Sequence, residues 1–163
     1  MRKTLILLTS ALIVLTLLAC KDNKPDPGSE EIEGTRFRRD ASLTFSSPDG
    51  TPKARFEVEI ASTPRAITQG LMFRESMAPN QGMLFDPEGL SDSGFWMKNT
   101  YIPLDMVFID DQNRVMSIAR DTKPFSTELI PPGGVYRYVL EINAGQAEKQ
   151  NLVIGDKIEW TKE

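Results

Sequence analysis

The sequence predicts a mainly β fold: a sandwich-like or open-barrel domain of about eight short strands with one or two short helices. Three observations lead there. Apolar segments after residue 40 are short, rich in branched and aromatic residues, and separated by Gly, Pro, Asn or Asp clusters. Within ARFEVEIA, Phe56, Val58 and Ile60 alternate with Arg55, Glu57 and Glu59, the period of a half-buried strand. The one long stretch with helical spacing is STPRAITQGLMFRESM, where Ala66, Ile67, Leu71 and Met72 recur on one side.

Taken in order, ASLTFSS and ARFEVEIA are the first two strands, with Ser47-Pro48-Asp49-Gly50 as the turn between them. Thr63 is placed to cap a short helix whose first position is Pro64, a proline site that needs no N–H. GMLF, FWMK, IPLDMVFID, RVMSIARD, VYRYVLEI and DKIEW read as six further strands. Asp110-Asp111-Gln112-Asn113 is a hairpin turn and implies antiparallel pairing across it, because Asp and Asn side chains hydrogen-bond to nearby turn backbone. AGQAEKQN suits one or two helical turns, and Gly155-Asp156 turns the chain into the last strand.

The N-terminus differs from the rest of the 163 residues. Arg2 and Lys3 precede a stretch from Leu5 to Leu18 that is apolar apart from Thr9, Ser10 and Thr16, and small Ala19 follows, the order of a secretory signal. Lys21, Asp22, Asn23 and Lys24 end the run short of the roughly 20 apolar residues of a membrane span. Leu17-Leu18-Ala19-Cys20 resembles the lipobox of bacterial lipoproteins, and Cys20, the only cysteine, has no partner for an internal disulfide. The expected organisation is a signal peptide over 1–19, a lipidated cysteine and flexible tether over 20–40, and one β-rich domain over 41–163. Lys21 resembles the residue found in outer-membrane lipoproteins, so the expected location is a membrane-anchored lipoprotein facing the periplasm or cell envelope, outer membrane rather than inner. A net charge of −4 and a pI near 5.0 argue against a nucleic-acid partner, since phosphate binding needs a basic surface.

The segments GLMFRESM, GMLF, FWMKNTYIPLDMVFID, YVLEINAG and IGDKI, in that order, resemble the bacterial and archaeal family called domain of unknown function 192. The resemblance runs from about Ala54 to Glu159, nearly the whole expected domain. It implies a β-rich, sandwich-like domain with short helices, often exported, without a settled activity and without catalytic residues to carry over.

Chemistry must therefore be read from the residues. The chain has no histidine, which removes the usual base of serine and cysteine nucleophiles and the commonest transition-metal ligand. No cofactor or metal is expected: Met72, Met83, Met97 and Met106 are too scattered for a copper run and read as core, and the Asp110–Asn113 stretch lacks the glycine and distal glutamate of a calcium loop. The glycines of LIPPGGVYRY precede a strand, not a helix, so they bend a loop and do not cradle phosphate.

The candidate cluster is FWMKNTYIPLD. In a strand starting at Leu104, Asp105 shares a face with Val107 and Ile109, and Glu141 likewise lies beside Val139, opposite Tyr138, Leu140 and Ile142. Carboxylates on apolar faces need partners, for which Lys98 and Arg74 are candidates. One reading is a pocket of Arg74, Lys98, Asn99, Asp105 and Glu141, walled by Trp96, for an anionic or sugar-like ligand. The other is a structural ion-pair network. Trp96, within a strand-like run, is expected to bury its ring; a surface position would favour the sugar. The functional expectation is a lipid-anchored envelope module that binds an unknown small ligand or envelope protein. Its alternatives are a small hydrolase or lyase using Asp105 and Glu141 as acid and base with help from Lys98, and a purely structural envelope protein.

Overall fold

The computed structural model of the chain describes residues 36–163; the signal segment, Cys20 and the tether up to residue 35 lie outside the described residues. Seven strands and two short helices follow one another: β1 (Ala41–Ser46), β2 (Pro52–Ala61), α1 (Pro64–Gln69), β3 (Gln81–Phe85), β4 (Leu104–Ile109), β5 (Val115–Thr122), β6 (Tyr138–Asn143), α2 (Gln146–Lys149) and β7 (Lys157–Lys162). The strands form one mixed sheet, ordered β5-β4-β6-β3-β2-β1-β7, that curls into a half-barrel. The curl brings its two edges together at one corner, where Val115 N–H donates to the Asp156 carbonyl at 2.8 Å and Ile158 N–H to the Asn113 carbonyl at 2.8 Å. The open-barrel expectation is met with seven strands in place of about eight.

The missing strand is FWMK. Phe95 makes a single bridge to Ile130, and the chain then turns, with Thr100 N–H donating to the Met97 carbonyl at 3.1 Å and Asn99 at φ 56°. The expected turns form. Asp110 Oδ1 accepts from the backbone of Gln112 and Arg114 at 2.9 and 2.8 Å, closing the hairpin between β4 and β5. Thr63 Oγ1 accepts from Ala66 N–H at 3.2 Å, capping α1 above Pro64. The helix stops after six residues because Gly70, at φ 48°, breaks it, and a Cβ there would stand 3.1 Å from the Phe85 ring.

Every neighbouring pair is antiparallel except β2 and β3, which run parallel from Glu57↔Gln81 to Ala61↔Phe85. Parallel neighbours cannot be joined by a hairpin, so the chain between them must cross a face of the sheet. The segment 62–80, carrying α1, makes that crossing. It splits the apolar residues into two cores. All seven strands line the concave face, with Leu43, Phe45, Phe56, Val58, Leu84, Val107, Leu140, Ile142 and Ile158 among them. The outer face of the central strands carries Met83, Phe85, Leu104, Met106, Phe108 and Val139, covered by Leu71, Met97 and Tyr136 from the connections. Met83, Met97 and Met106 are thus core residues.

β4 accordingly buries both of its faces, and every residue from Leu104 to Ile109 is buried. Asp105 points to the concave side. Its Oδ1 accepts from Asp121 N–H and its Oδ2 from Ala147 N–H, both at 2.9 Å, so one carboxylate holds the end of β5 and the first turn of α2. At the opposite corner, Asp156, fully buried, pairs with Lys53 at 2.7 Å and accepts from Val153 N–H at 2.9 Å. Neither Lys98 nor Arg74 is the partner of Asp105, as the sequence had suggested; backbone N–H groups are.

Hydrogen bonds to a charged acceptor are worth about 1.5–3 kcal/mol each. Asp105→Asn keeps one acceptor and turns an N–H₂ group towards the other backbone donor. It should cost about 2 kcal/mol and lower the melting temperature by roughly 5–10 °C. Calorimetric melting of wild type and variant checks this; an unchanged midpoint would contradict the structural role.

Candidate functional site

Register assigns each outer-face residue to a row. Glu59 of β2 pairs with Met83 of β3, Met83 with Glu141 of β6, and Glu141 with Met106 of β4. The outer face therefore carries two carboxyl groups two strands apart, at roughly 10 Å between backbones. Both are buried, at 1% and 4% exposure. Their environments differ.

Glu59 is ion-paired with the equally buried Arg74, and Arg38 approaches its other oxygen at 3.8 Å. Sequence alternation placed Glu59 on a solvent face, but the 62–80 crossing covers that face and supplies the arginine. Arg74, a predicted member of the ligand pocket, is thereby engaged in the covering layer.

Glu141 has no ion-pair or hydrogen-bond partner for its carboxyl among the described residues. Burial pushes this carboxyl up to about 8, so it carries its proton at neutral pH. It faces a narrow recess of about 30 Å³ lined by Thr68 to Met72 of the α1 end, by Thr100, and by Phe85, Phe95 and Trp96. That volume holds one water molecule or one hydroxyl group. Outside it lies a wider cleft of about 280 Å³, bounded by Ile67 and Thr68 on one side and by Pro87, Ser91, Ser93, Gly94 and Trp96 on the other. The two share Ile67, Thr68, Phe85, Phe95 and Trp96, and form one depression with Glu141 at its inner end.

The walls are firmly held. Ser91 pairs with Tyr136 and Phe95 with Ile130 through backbone bridges, Tyr136 Oη donates to the Ser93 carbonyl at 3.1 Å, and Arg137 bonds to the Pro87 carbonyl at 2.8 Å. Gly94 permits this approach: a Cβ there would lie 3.0 Å from the Ile130 carbonyl oxygen. Beneath, the Phe95 ring meets Phe85, Phe108 and Tyr136 edge-on at 5.1, 6.0 and 6.2 Å.

Trp96 is 44% exposed, contrary to the expectation of a buried ring. FWMK turns too soon to be a strand, so Met97 takes the buried position and Trp96 faces the cleft. Lys98 Nζ lies 5.9 Å from the Trp96 ring centroid and makes no ion pair with Asp105 or Glu141. Asn99 holds a left-handed backbone at the turn, its Nδ2 3.9 Å from Met72 Sδ.

Of the six predicted site residues, the cleft unites Glu141 and Trp96. Asp105 and Glu141 project from opposite faces of the sheet, since Asp105 pairs with Ile142 and Glu141 with Met106. They cannot act as an acid and base on one substrate. Sequence reasoning missed Phe95, Thr100 and the α1 end as lining residues. Phe95 and Thr100 both lay within the flagged block; contacts made by the 62–80 crossing left no sequence signal.

A second feature lies in the connections between strands. Phe73, Tyr101 and Phe125 are 38%, 41% and 59% exposed, and their rings touch, with centroids 6.2 and 5.3 Å apart. Phe73 and Phe125 have φ of 63° and 62°. Bulky side chains rarely adopt this conformation, at a cost on the order of 1–3 kcal/mol each.

The family model DUF192, described as Uncharacterized ACR, matches residues 45–160. A crystal structure from Sinorhizobium meliloti 1021, described provisionally as a transcription regulator, superposes with a TM-score of 0.72 at 35% identity, covering 77% of this chain and 97% of that one. A protein of unknown function from Novosphingobium aromaticivorans DSM 12444 is similar, with a TM-score of 0.69, 37% identity, and coverage of 73% and 84%. No curated protein matches the sequence.

The titration of Glu141 has a stability consequence. A carboxyl of the unfolded chain loses its proton near pH 4.3, whereas folded Glu141 keeps it to about 8. Between those values the native state holds the extra proton, so stability falls as pH rises, by up to about 1.4 kcal/mol per unit, and levels off above 8. With no histidine in the chain, few other groups titrate in this window. Glu141→Gln should flatten the profile and raise the melting temperature at pH 8–9, a result that melting curves between pH 5 and 9 would show.

Proposed function

The chain belongs to the DUF192 family, and on that footing we propose that it is a lipid-anchored binding module of the cell envelope whose cleft takes a neutral, hydroxyl-rich ligand. One observation carries the reading: Glu141, protonated and without a partner among the described residues, faces a recess of hydroxyl size at the inner end of an aromatic-walled cleft. A ligand hydroxyl that enters the recess can take the place of a water as the carboxyl's hydrogen-bond partner. A protonated carboxyl both donates and accepts, as a sugar hydroxyl requires.

Electrostatics favours the neutral member of the two ligand classes that the sequence suggested. No lysine or arginine lines either part of the cleft among the described residues, so an anion finds no counter-charge there. Trp96 instead offers an apolar face with an N–H at its edge, and Thr68, Thr100, Ser91 and Ser93 supply hydroxyls. Nothing in this reading calls for the transcriptional role given to the Sinorhizobium relative; a net charge of −4 opposes nucleic-acid binding. Export and anchoring rest on the signal-like N-terminus and the LLAC tetrapeptide at Cys20.

A thermal-shift screen of the protein against neutral sugars, anions and divalent metals tests the binding. A ligand at about 100 times its Kd stabilises by about 2.7 kcal/mol, a shift of several degrees. Sugars should give the shift. Glu141→Gln, which still donates and accepts, should retain it at pH 9 where wild type weakens, and Glu141→Leu and Trp96→Ala should abolish it. A shift with anions alone would overturn the neutral-ligand reading. For the anchor, Cys20→Ser should move the protein from the detergent phase to the aqueous phase of a Triton X-114 partition; wild type already in the aqueous phase would refute lipidation.

A further inference from the structure

A second open cavity, of about 330 Å³, lies against α1, and Gln69 and Gly70 line both it and the Glu141 recess, so the end of the helix borders the two. Ala61, Ala66 and Met83, which pack in the outer core, give it apolar surface, and its charged residues are Arg38, Arg65 and buried Glu59. Most of the charges belong to one fixed chain. Asp40 accepts from Ile60 N–H at 2.8 Å and pairs with Arg38 at 3.1 Å; Arg38 stands 3.8 Å from Glu59, and Glu59 pairs with Arg74. Backbone and carboxylates thus hold the Arg38 guanidinium at the cavity in advance, which limits the freedom that a ligand must freeze. In that chain two guanidinium groups balance two carboxylates. Arg65 stands outside it: its guanidinium makes no ion pair or hydrogen bond among the described residues. The cavity therefore carries one positive charge in excess, on a side chain that the ion-pair network does not use.

We propose that this cavity binds a small organic monocarboxylate, its carboxylate held by Arg65 and Arg38 and its apolar body lying against Ala61, Ala66 and Met83. Guanidinium groups present paired N–H donors that match the two oxygens of a carboxylate. A single excess charge is matched by a monoanion, whereas a dianion such as phosphate would leave negative charge uncompensated beside buried Glu59. The apolar surface favours an organic body over a bare ion, and the volume falls at the lower end of small-molecule sites, about 300–1,000 Å³. The site is independent of the cleft at Glu141, whose lining carries no lysine or arginine among the described residues.

Calorimetric titration of the full-length protein at low ionic strength with butyrate and benzoate, with their neutral amides, and with inorganic phosphate tests it. At least one carboxylate should bind about tenfold or more tighter than its amide, and tighter than phosphate. Arg65→Ala should weaken that binding about tenfold while melting at the wild-type temperature, because Arg65 is exposed and outside the network. Arg65→Lys should recover part of the affinity, and Glu141→Leu should leave it unchanged. Carboxylate binding that survives Arg65→Ala overturns the site. If that surviving binding is instead lost in Glu141→Leu, the carboxylate sits in the cleft, and the neutral-ligand reading falls as well. Phosphate bound as tightly as the carboxylates overturns the monoanion assignment, and equal binding of acid and amide overturns the role of the guanidinium groups. An Arg65→Ala variant that melts well below wild type makes Arg65 structural and overturns its assignment to a ligand. No binding of either carboxylate overturns the proposal outright.

Discussion

The parallel pairing of β2 with β3 is the constraint on which the rest of the structure depends. In a sheet whose other neighbours are all antiparallel, this pair alone cannot close through a hairpin, so 19 residues from Ser62 to Asn80 cross the outer face. That crossing turns a one-sided sheet into one buried on both sides at its centre. It places Leu71 over the outer core, brings Arg74 to Glu59, and makes one wall of the recess at Glu141. An antiparallel β3 would leave that row of residues facing solvent, where two glutamates would be unremarkable.

Burial on both faces sets a different problem for each carboxyl group. Asp105 meets two backbone N–H donors from segments that need acceptors, and the match locks α2 and the end of β5 to the sheet. Glu59 meets an arginine. Glu141 meets neither, and its burial is relieved by holding a proton. Among these three groups, only Glu141 has no hydrogen-bond or ion-pair partner among the described residues, and it lines the recess at the α1 end. Structural and functional carboxylates are separated here by the chemistry of the groups that cover them, not by position along a strand.

Stability and presentation also diverge around the cleft. Phe85, Phe95, Phe108 and Tyr136 pack edge-on and give the cleft a rigid base, each ring buried or nearly so. Phe73 and Phe125, a short distance along the chain from buried residues, do the reverse, holding exposed rings on unfavourable backbone. The packed rings stabilise the domain, whereas the exposed rings on left-handed backbone contribute little burial.

Sequence by itself determined a good deal: the β-rich class, the Asp110–Asn113 hairpin, the Thr63 cap, and the division of β4 into a Leu104–Met106–Phe108 face and an Asp105–Val107–Ile109 face. These follow from local rules, turn chemistry and a side-chain period of two, which operate over a few residues. It also marked Glu141 as a residue out of keeping with its surroundings, but took Trp96 for a core ring. What covers each face was decided only by tertiary structure. Alternation shows that Asp105 and Glu141 each share a face with apolar neighbours, but strand order and register determine that those faces are opposite. The same holds for FWMK, whose strand-like composition yields to a turn at Asn99, and for Arg74, whose partner lies 15 residues back on β2. Pairing across the sheet and the path of a crossing are long-range choices, settled by which burials the whole chain can satisfy at once, and no local pattern carries them.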